Sequence, residues 1–250
     1  LLSSYQQYLI NSVRYKDNWD TKISNVTYKD YKQLNNFNQI KEISKTHNIG
    51  LMNIPSTGVT SIYVELYSYD KNSMQNLLAT NIKAGRLPEN SNEIAISTMN
   101  IDSEDINLAK EKYEIGDKFI FESGEFSKEY TIVGILNSSK YDKSSITESI
   151  HGAITYMDES ENTNESIVDI YVSNTHIQNV YNTAEEIIKT LNISSDNISY
   201  NEELLNYSLV SNSEFKNSFY LVGITLILII VIASFMLIFT TLNITLNSRI

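Results

Sequence analysis

Cysteine is absent from this chain of 250 residues. Its absence removes disulfide bridges, thiolate nucleophiles and every cysteine-based metal site. Histidine occurs three times, as His47, His151 and His176. None stands at metal-ligand spacing from another, so a zinc site would need carboxylates brought from afar. Basic residues are the minority, 19 Lys and Arg against 30 Asp and Glu, and the formal net charge is -11. Nucleic-acid binding calls for a basic footprint, and the sequence has none. The same acidity argues against a domain lying on anionic lipid. The Gly-x-x-x-x-Gly-Lys-[Ser/Thr] phosphate loop, the Gly-x-Gly-x-x-Gly fingerprint and the Gly-x-Ser-x-Gly elbow are all missing. The acidic clusters at 102–105 and 158–161 lack the glycine of a calcium loop and read as solvated surface. No carboxylate pair is marked out for glycoside hydrolysis. No catalytic, cofactor-binding or metal residue is assigned, and the chain by itself is not expected to be an enzyme. No internal repeat of roughly 20–50 residues is visible.

Long apolar runs are scarce too, and the single one dominates the reading. No charged residue occurs from Asn217 to Ser248, and Phe219 to Leu242 is almost wholly apolar. A bilayer core of about 30 Å needs roughly 20 apolar residues at ~1.5 Å rise each. The run is therefore read as a transmembrane helix in a lipid bilayer, with room for tilt. Lys216 and Arg249 flank it, one positive charge on each side, which sets no orientation. Long domains cross membranes largely regardless of charge, so an outside location for the preceding region is permitted. With only two prolines and much Lys, Asn, Ile and Tyr, the usage resembles proteins of AT-rich bacteria. The expected setting is a bacterial cell membrane of Gram-positive type, with residues 16–205 outside.

Periodicity supplies the elements. Leu2, Tyr5, Leu9 and Val13 follow helical spacing across Leu1 to Tyr15. Trp19 to Val26 alternates as a strand. Thr27 is placed to cap a helix from Tyr28, with Asp30 in its first turn. Ile40 to Ile54 reads as extended and interrupted near Gly50, and Ser61 to Ser68 alternates clearly. A short helix is expected from Met74 to Ala79 and another from Asp102 to Lys112. Gly85 and Pro88 punctuate a turn. Strands are expected at Glu93–Ser97, Lys118–Glu122, Glu129–Leu136, His151–Tyr156, Ile167–Ser173 and Asn197–Tyr200, and a loop at Glu159–Glu165. Thr175 opens an amphipathic helix with Ile177, Val180, Ala184, Ile187, Ile188 and Leu191 on one face. From Glu202 the chain reads as helical into the membrane span. Strands and helices that do not strictly alternate favour an α+β fold.

Three short motifs carry a family likeness. Gly85-Arg86-Leu87-Pro88, followed by Asn92-Glu93-Ile94-Ala95-Ile96-Ser97, resembles the "G-R-x-P … N-E-I-x-[IL]-[ST]" element in the extracellular domain of FtsX-like and MacB-like ABC-transporter permeases. Ile115-Gly116-Asp117 is similar to that family's "[IL]-G-D", and Tyr130-Thr-Ile-Val-Gly134-Ile135 to its strand ending in V-G-I. Leu242-Asn-Ile-Thr-Leu-Asn-Ser-Arg-Ile250 resembles the family's helix exit, with Arg249 matching its arginine and Ser248 replacing a commoner glutamate. The likeness covers residues 82–135 by motif and 217–250 by pattern.

The resemblance implies a porter-like β-α-β framework from residues 16–72 and 157–205, with an inserted small β-rich subdomain at 73–156. Flanking it would be the outer end of a first transmembrane or stalk helix at 1–15 and a stalk and transmembrane helix at 206–250. It also implies a cytoplasmic nucleotide-binding ATPase as partner and a second permease copy or half, with the two flanking helices side by side as transmission rods. The motif residues Gly85, Arg86, Pro88, Glu93, Gly116, Asp117 and Gly134 would have structural roles, Arg86 pairing with Glu93 across the turn. Two rival readings are the ligand-sensing outer domain of a receptor kinase or chemoreceptor, and a membrane-anchored hydrolase or adhesin.

Overall fold

Thr27 ends one element and starts the next. In the computed structural model its hydroxyl accepts a hydrogen bond from the Asp30 amide, closing strand β1 (Thr21–Thr27) and capping helix α2 (Tyr28–Leu34). The structure describes residues 2–35, 37–54, 61–78, 80–97, 113–138, 142–145, 148–210 and 214–247. The helix expected over 102–112 lies outside them.

The chain divides into two units, Leu1–Asn201 and Glu202–Ile250. The first opens with helix α1 (Leu2–Lys16), then β1, α2, and strands β2 (Ile40–Ile54) and β3 (Ser61–Tyr69). A single π-type turn at Ser73–Leu77 stands where the sequence suggested a short helix. Strands β4 (Asn81–Gly85), β5 (Glu93–Ser97), β6 (Lys118–Ser123), β7 (Phe126–Ser138), β8 (Lys143–Ser144), β9 (Glu148–Tyr156) and β10 (Ile167–Asn174) follow. Helix α3 (Val180–Leu191), entered through a 3-10 turn at Ile177–Asn179, precedes the short strand β11 (Ile198–Tyr200). The strands form one mixed sheet in the order β11-β1-β10-β2-β3-β9-β5-β7-β4, with β6 paired to β7 and β8 to β9. Two pairs are parallel, β3 with β9 and β5 with β7. The fold is α+β.

Alternation sends successive side chains to opposite faces, and this sorts the core. On one face Ile23, Ile170 and Val172 pack with Leu34 of α2 and Ile187 of α3. Farther along the same sheet, Val64, Leu66, Ile94, Ile96 and Ala153 pack with Phe119 and Phe121 of β6. Strand β6 curls back to β2, where the Ser123 hydroxyl donates to the Leu51 carbonyl. The opposite face carries Tyr69, Tyr171, Ile154 and Leu136 together with Leu77 and Leu78. Trp19 meets Tyr171 edge-on at 5.5 Å. Burying each such aliphatic side chain contributes about 1.5–3 kcal/mol.

In the second unit the expected continuous helix is broken. Helix α4 (Glu202–Tyr207) ends before helix α5 (Glu214–Asn247) begins. Leu209 sits at φ 56°, the Val210 amide donates to the Leu205 carbonyl and the Leu209 amide to Asn206. This is a Schellman termination with leucine where glycine is favoured, which is why the apolar pattern hid it. Within α5, Tyr220–Ile244 is 25 residues long with a mean hydropathy of 3.1, long and apolar enough to cross a membrane. Its large apolar side chains stand exposed on every side. Thr225, Ser234 and Thr241 return their hydroxyls to carbonyls four residues back, which satisfies them without water.

Candidate functional site

The motif residues converge on one joint where β7 runs between β4 and β5. Gly134 of β7 pairs with Gly85 on one side and with Ala95 on the other. A Cβ on Gly134 would stand 2.2 Å from the Arg86 carbonyl oxygen, and one on Gly85 2.2 Å from that of Val133. The backbones approach closely here because neither residue has a side chain. The Arg86 amide then donates to Val133 at 2.9 Å, fixing the first residue of the connection to β5.

That connection is organised by one carboxylate. Glu93 receives both arms of the Arg86 guanidinium, at 2.7 and 2.6 Å, and the Glu89 amide at 2.9 Å. Pro88 is buried inside the loop so formed. A bidentate arginine–carboxylate pair of this kind is planar and directional. The two hydrogen bonds from Arg86 hold the Glu93 carboxyl down at about 2. A depressed carboxylate stabilises the fold above its ordinary value of 4.5, and that stability is lost as pH falls towards 2. Glu93→Gln is therefore expected to be less stable than the parent at about pH 7, with the gap narrowing towards about pH 3. Urea unfolding at the two pH values measures it, and a gap that stays constant disproves it.

The third motif docks against the first. Ile115 reaches to within 2.8 Å of where a Gly85 Cβ would be. The turn behind it closes through the Asp117 amide to the Glu114 carbonyl, while the Asp117 carboxylate accepts from the Glu114 amide at 2.7 Å. Gly116, at φ 102°, occupies the turn position that demands a positive φ. Its amide donates to the Ile132 carbonyl at 2.8 Å, tying the turn to β7.

Two further charged groups lie inside the first unit, and the sequence reading assigned neither. Lys45 of β2 has a side chain only 3% exposed, yet it carries its charge. Its Nζ lies 2.5 Å from Glu159, 3.7 Å from Asp70 and 4.4 Å from the Tyr31 ring centroid. Tyr28 donates its hydroxyl to the other oxygen of Glu159. Burial pushes Lys45 down, but the Glu159 hydrogen bond and the surrounding charges outweigh it, and its pKa is raised. Asp70 is also raised, by burial, although it accepts from the Ser73 and Lys45 amides. Glu159 is thus not merely solvated surface, as its acidic setting had suggested. It closes over the lysine.

The second group is Asp20, fully buried beside the end of α1. It accepts from the Asn174 amide at 2.5 Å, and Arg14 of α1 stands 3.9 Å away. Burial pushes its carboxyl up. The neighbouring backbone ties the two ends of the unit together. The Asn201 amide donates to the Asp20 carbonyl, and the Asn201 side chain donates to the carbonyls of Asp17 and Trp19.

The histidines stay apart. His47 Nδ1 donates to the Ile167 carbonyl at 2.6 Å, His151 is buried beside Ser149, and His176 is exposed ahead of α3. Among the described residues no three His, Asp or Glu side chains converge as metal ligands.

No family model matches the sequence, and no curated protein matches it. Solved structures do. The extracellular domain of the noncanonical ABC-type transporter YknZ from Gram-positive bacteria is similar at 12% identity and a TM-score of 0.45, covering 69% of this chain and 92% of that one. The periplasmic region of MacB from Actinobacillus actinomycetemcomitans is similar at 11% identity and a TM-score of 0.48, covering 82% and 100%. A domain from a Porphyromonas gingivalis protein described as a permease is similar at 9% identity and a TM-score of 0.39, covering 71% and 76%.

Proposed function

We propose that this chain is the outer domain and following membrane span of an FtsX/MacB-type permease, which couples a cytoplasmic ATPase to export or mechanical work outside the membrane. The observation that carries the reading is the joint itself. Three motifs scattered between Gly85 and Gly134 form one interlocked unit in which β4, β5 and β7 are held by Gly85, Gly134, the Arg86–Glu93 pair and the Gly116–Asp117 turn. Their shared role is then to hold the strands of the inserted subdomain, residues 73–156, to one another, beside the framework of 16–72 and 157–205.

The ends of the first unit support the same reading. Strand β1 pairs with β11, and Asn201 is bonded to residues 17, 19 and 20, so the chain enters and leaves side by side. A domain gripped at two adjacent ends can receive force from two membrane helices, α1 continuing a first one and α5 forming the second. The phosphate loop is missing from the sequence, so the nucleotide-binding ATPase is a separate or fused partner, and a second permease copy or half is the other.

Purifying the full-length protein from its native membranes tests the reading. The expected result is co-purification of a nucleotide-binding ATPase in roughly equal amount, with ATP turnover that depends on the intact permease. Recovery of a kinase or chemoreceptor signalling core on the same polypeptide, with no ATPase, would overturn it.

A further inference from the structure

The two apolar clusters on one face of the sheet are separated by a polar row. His47 pairs with Ser68 across β2 and β3, and Ser68 with Thr155 across β3 and β9. Paired residues share a face, so these three side chains stand abreast. Ser68 continues the line of Val64 and Leu66, and Thr155 that of Ala153, all of them core residues. A face built only for packing would continue with aliphatic residues, because burying a hydroxyl without a partner costs stability.

A cleft of about 230 Å³ opens over this row, between the β6–β7 hairpin and the segment after β9. The floor offers hydrogen bonds of both kinds. The Ser68 hydroxyl has no protein partner among the described residues. Thr155 donates to the Glu93 carbonyl and keeps its lone pairs. His47 donates through Nδ1, and in the neutral ring Nε2 is an acceptor. Phe126 and Tyr130 form an aromatic wall, and Lys128 and Asp158 line the cleft with opposite charges. Hydrogen bonds from the Ser160 side chain and amide keep Asp158 ionised, and Lys128 adds attraction.

From this geometry we infer that the cleft binds a single free α-amino acid, its carboxylate facing Lys128, its ammonium facing Asp158 and its side chain against the aromatic wall. The size argues for one residue. The volume lies below the ~300 Å³ at which pockets for drug-sized ligands begin. Opposite charges in one small cleft complement the two charges of a zwitterion, which a neutral sugar lacks. The inference stands apart from the transport reading, so either can fail without the other.

Isothermal titration of the purified full chain with the common L-amino acids tests it, alongside their N-acetyl amides and glucose. Binding of at least one free amino acid is expected at a Kd on the order of 1 mM or tighter. The blocked amide of the same residue should not bind. Lys128→Met and Asp158→Asn should each weaken binding about tenfold or more. Neither substitution threatens the fold, because both side chains are only partly buried and asparagine can keep the Asp158 cap. Absence of binding by any free amino acid up to about 10 mM overturns the proposal. So does equal binding of the blocked form, unchanged affinity in both variants, or binding of glucose alone.

Discussion

Gly134→Ala is expected to destabilise the first unit by about 3 kcal/mol, among the largest effects available from a single methyl group. The new Cβ would stand 2.2 Å from the Arg86 carbonyl oxygen and 3.2 Å from the Ala95 Cβ. Neither neighbour is a flexible side chain that can swing away. Arg86 follows β4 and is held to β7 by its own amide, and Ala95 lies in the core of β5. To admit the methyl group, β7 must move from both partners or β4 must detach and take the Arg86–Glu93 pair with it. Gly124→Ala is the control. It sits at the hairpin tip at φ 60° with nothing within 4 Å, so its cost is only that of the left-handed conformation, about 1 kcal/mol. Trp19, the only tryptophan, packs on Tyr171 and reports unfolding by its emission. Urea melts of the full chain in detergent compare the two variants. If Gly134→Ala costs no more than Gly124→Ala, the close approach is not what holds the joint.

The parts of the fold that were legible are those where local chemistry decides. Thr27 caps α2 because its hydroxyl meets the Asp30 amide, a rule written in four residues. Strand β5 spans Glu93–Ser97, the bounds expected for it. Of the six residues expected on one face of α3, Val180, Ala184, Ile187 and Leu191 are buried, while Ile177, in the preceding 3-10 turn, and Ile188 are half-buried. Long-range decisions were not legible. Strand β4 follows Thr80 and contains Gly85, and reads as turn material because its partners lie about fifty residues away on β7. The parallel pairing of β3 with β9 needs a crossover of almost eighty residues, and nothing local records it. The break at Leu209 uses a residue that propensity places inside helices. The charged interior left a trace that was passed over. Ile43, Lys45, His47 and Ile49 alternate along β2, so Lys45 and His47 share the phase of the apolar residues around them. Lys45 is buried, as that phase requires, and His47 is half-buried.

That buried lysine carries the second large prediction. Lys45→Met keeps most of the apolar stem over Tyr31 and removes the ammonium, leaving Asp70 buried without its counter-ion. Breaking a buried pair on one side typically costs about 3–5 kcal/mol, and a loss of that size is expected. Glu159 adds little to it, because its side chain is 54% exposed and water can replace the lysine there. The double variant Lys45→Met with Asp70→Asn should regain part of the loss, since the asparagine oxygen can still accept from the Ser73 amide that Asp70 now binds at 2.7 Å, whereas the amide at position 45, held at 3.1 Å by the other carboxylate oxygen, loses its acceptor. The coupling between the two sites should then exceed about 2 kcal/mol in a double-mutant cycle. The pH dependence has a definite sign. Burial already raises the Asp70 pKa from its ordinary 3.8, and losing the lysine raises it further. A raised acid favours the folded state below its unfolded value and loses that contribution as pH rises through the folded one. The deficit of Lys45→Met relative to the parent should therefore shrink as the solution is acidified and grow towards neutrality. A single variant within about 1 kcal/mol of the parent at neutral pH, or a deficit that deepens in acid, would show that Asp70 does not depend on Lys45 for its charge.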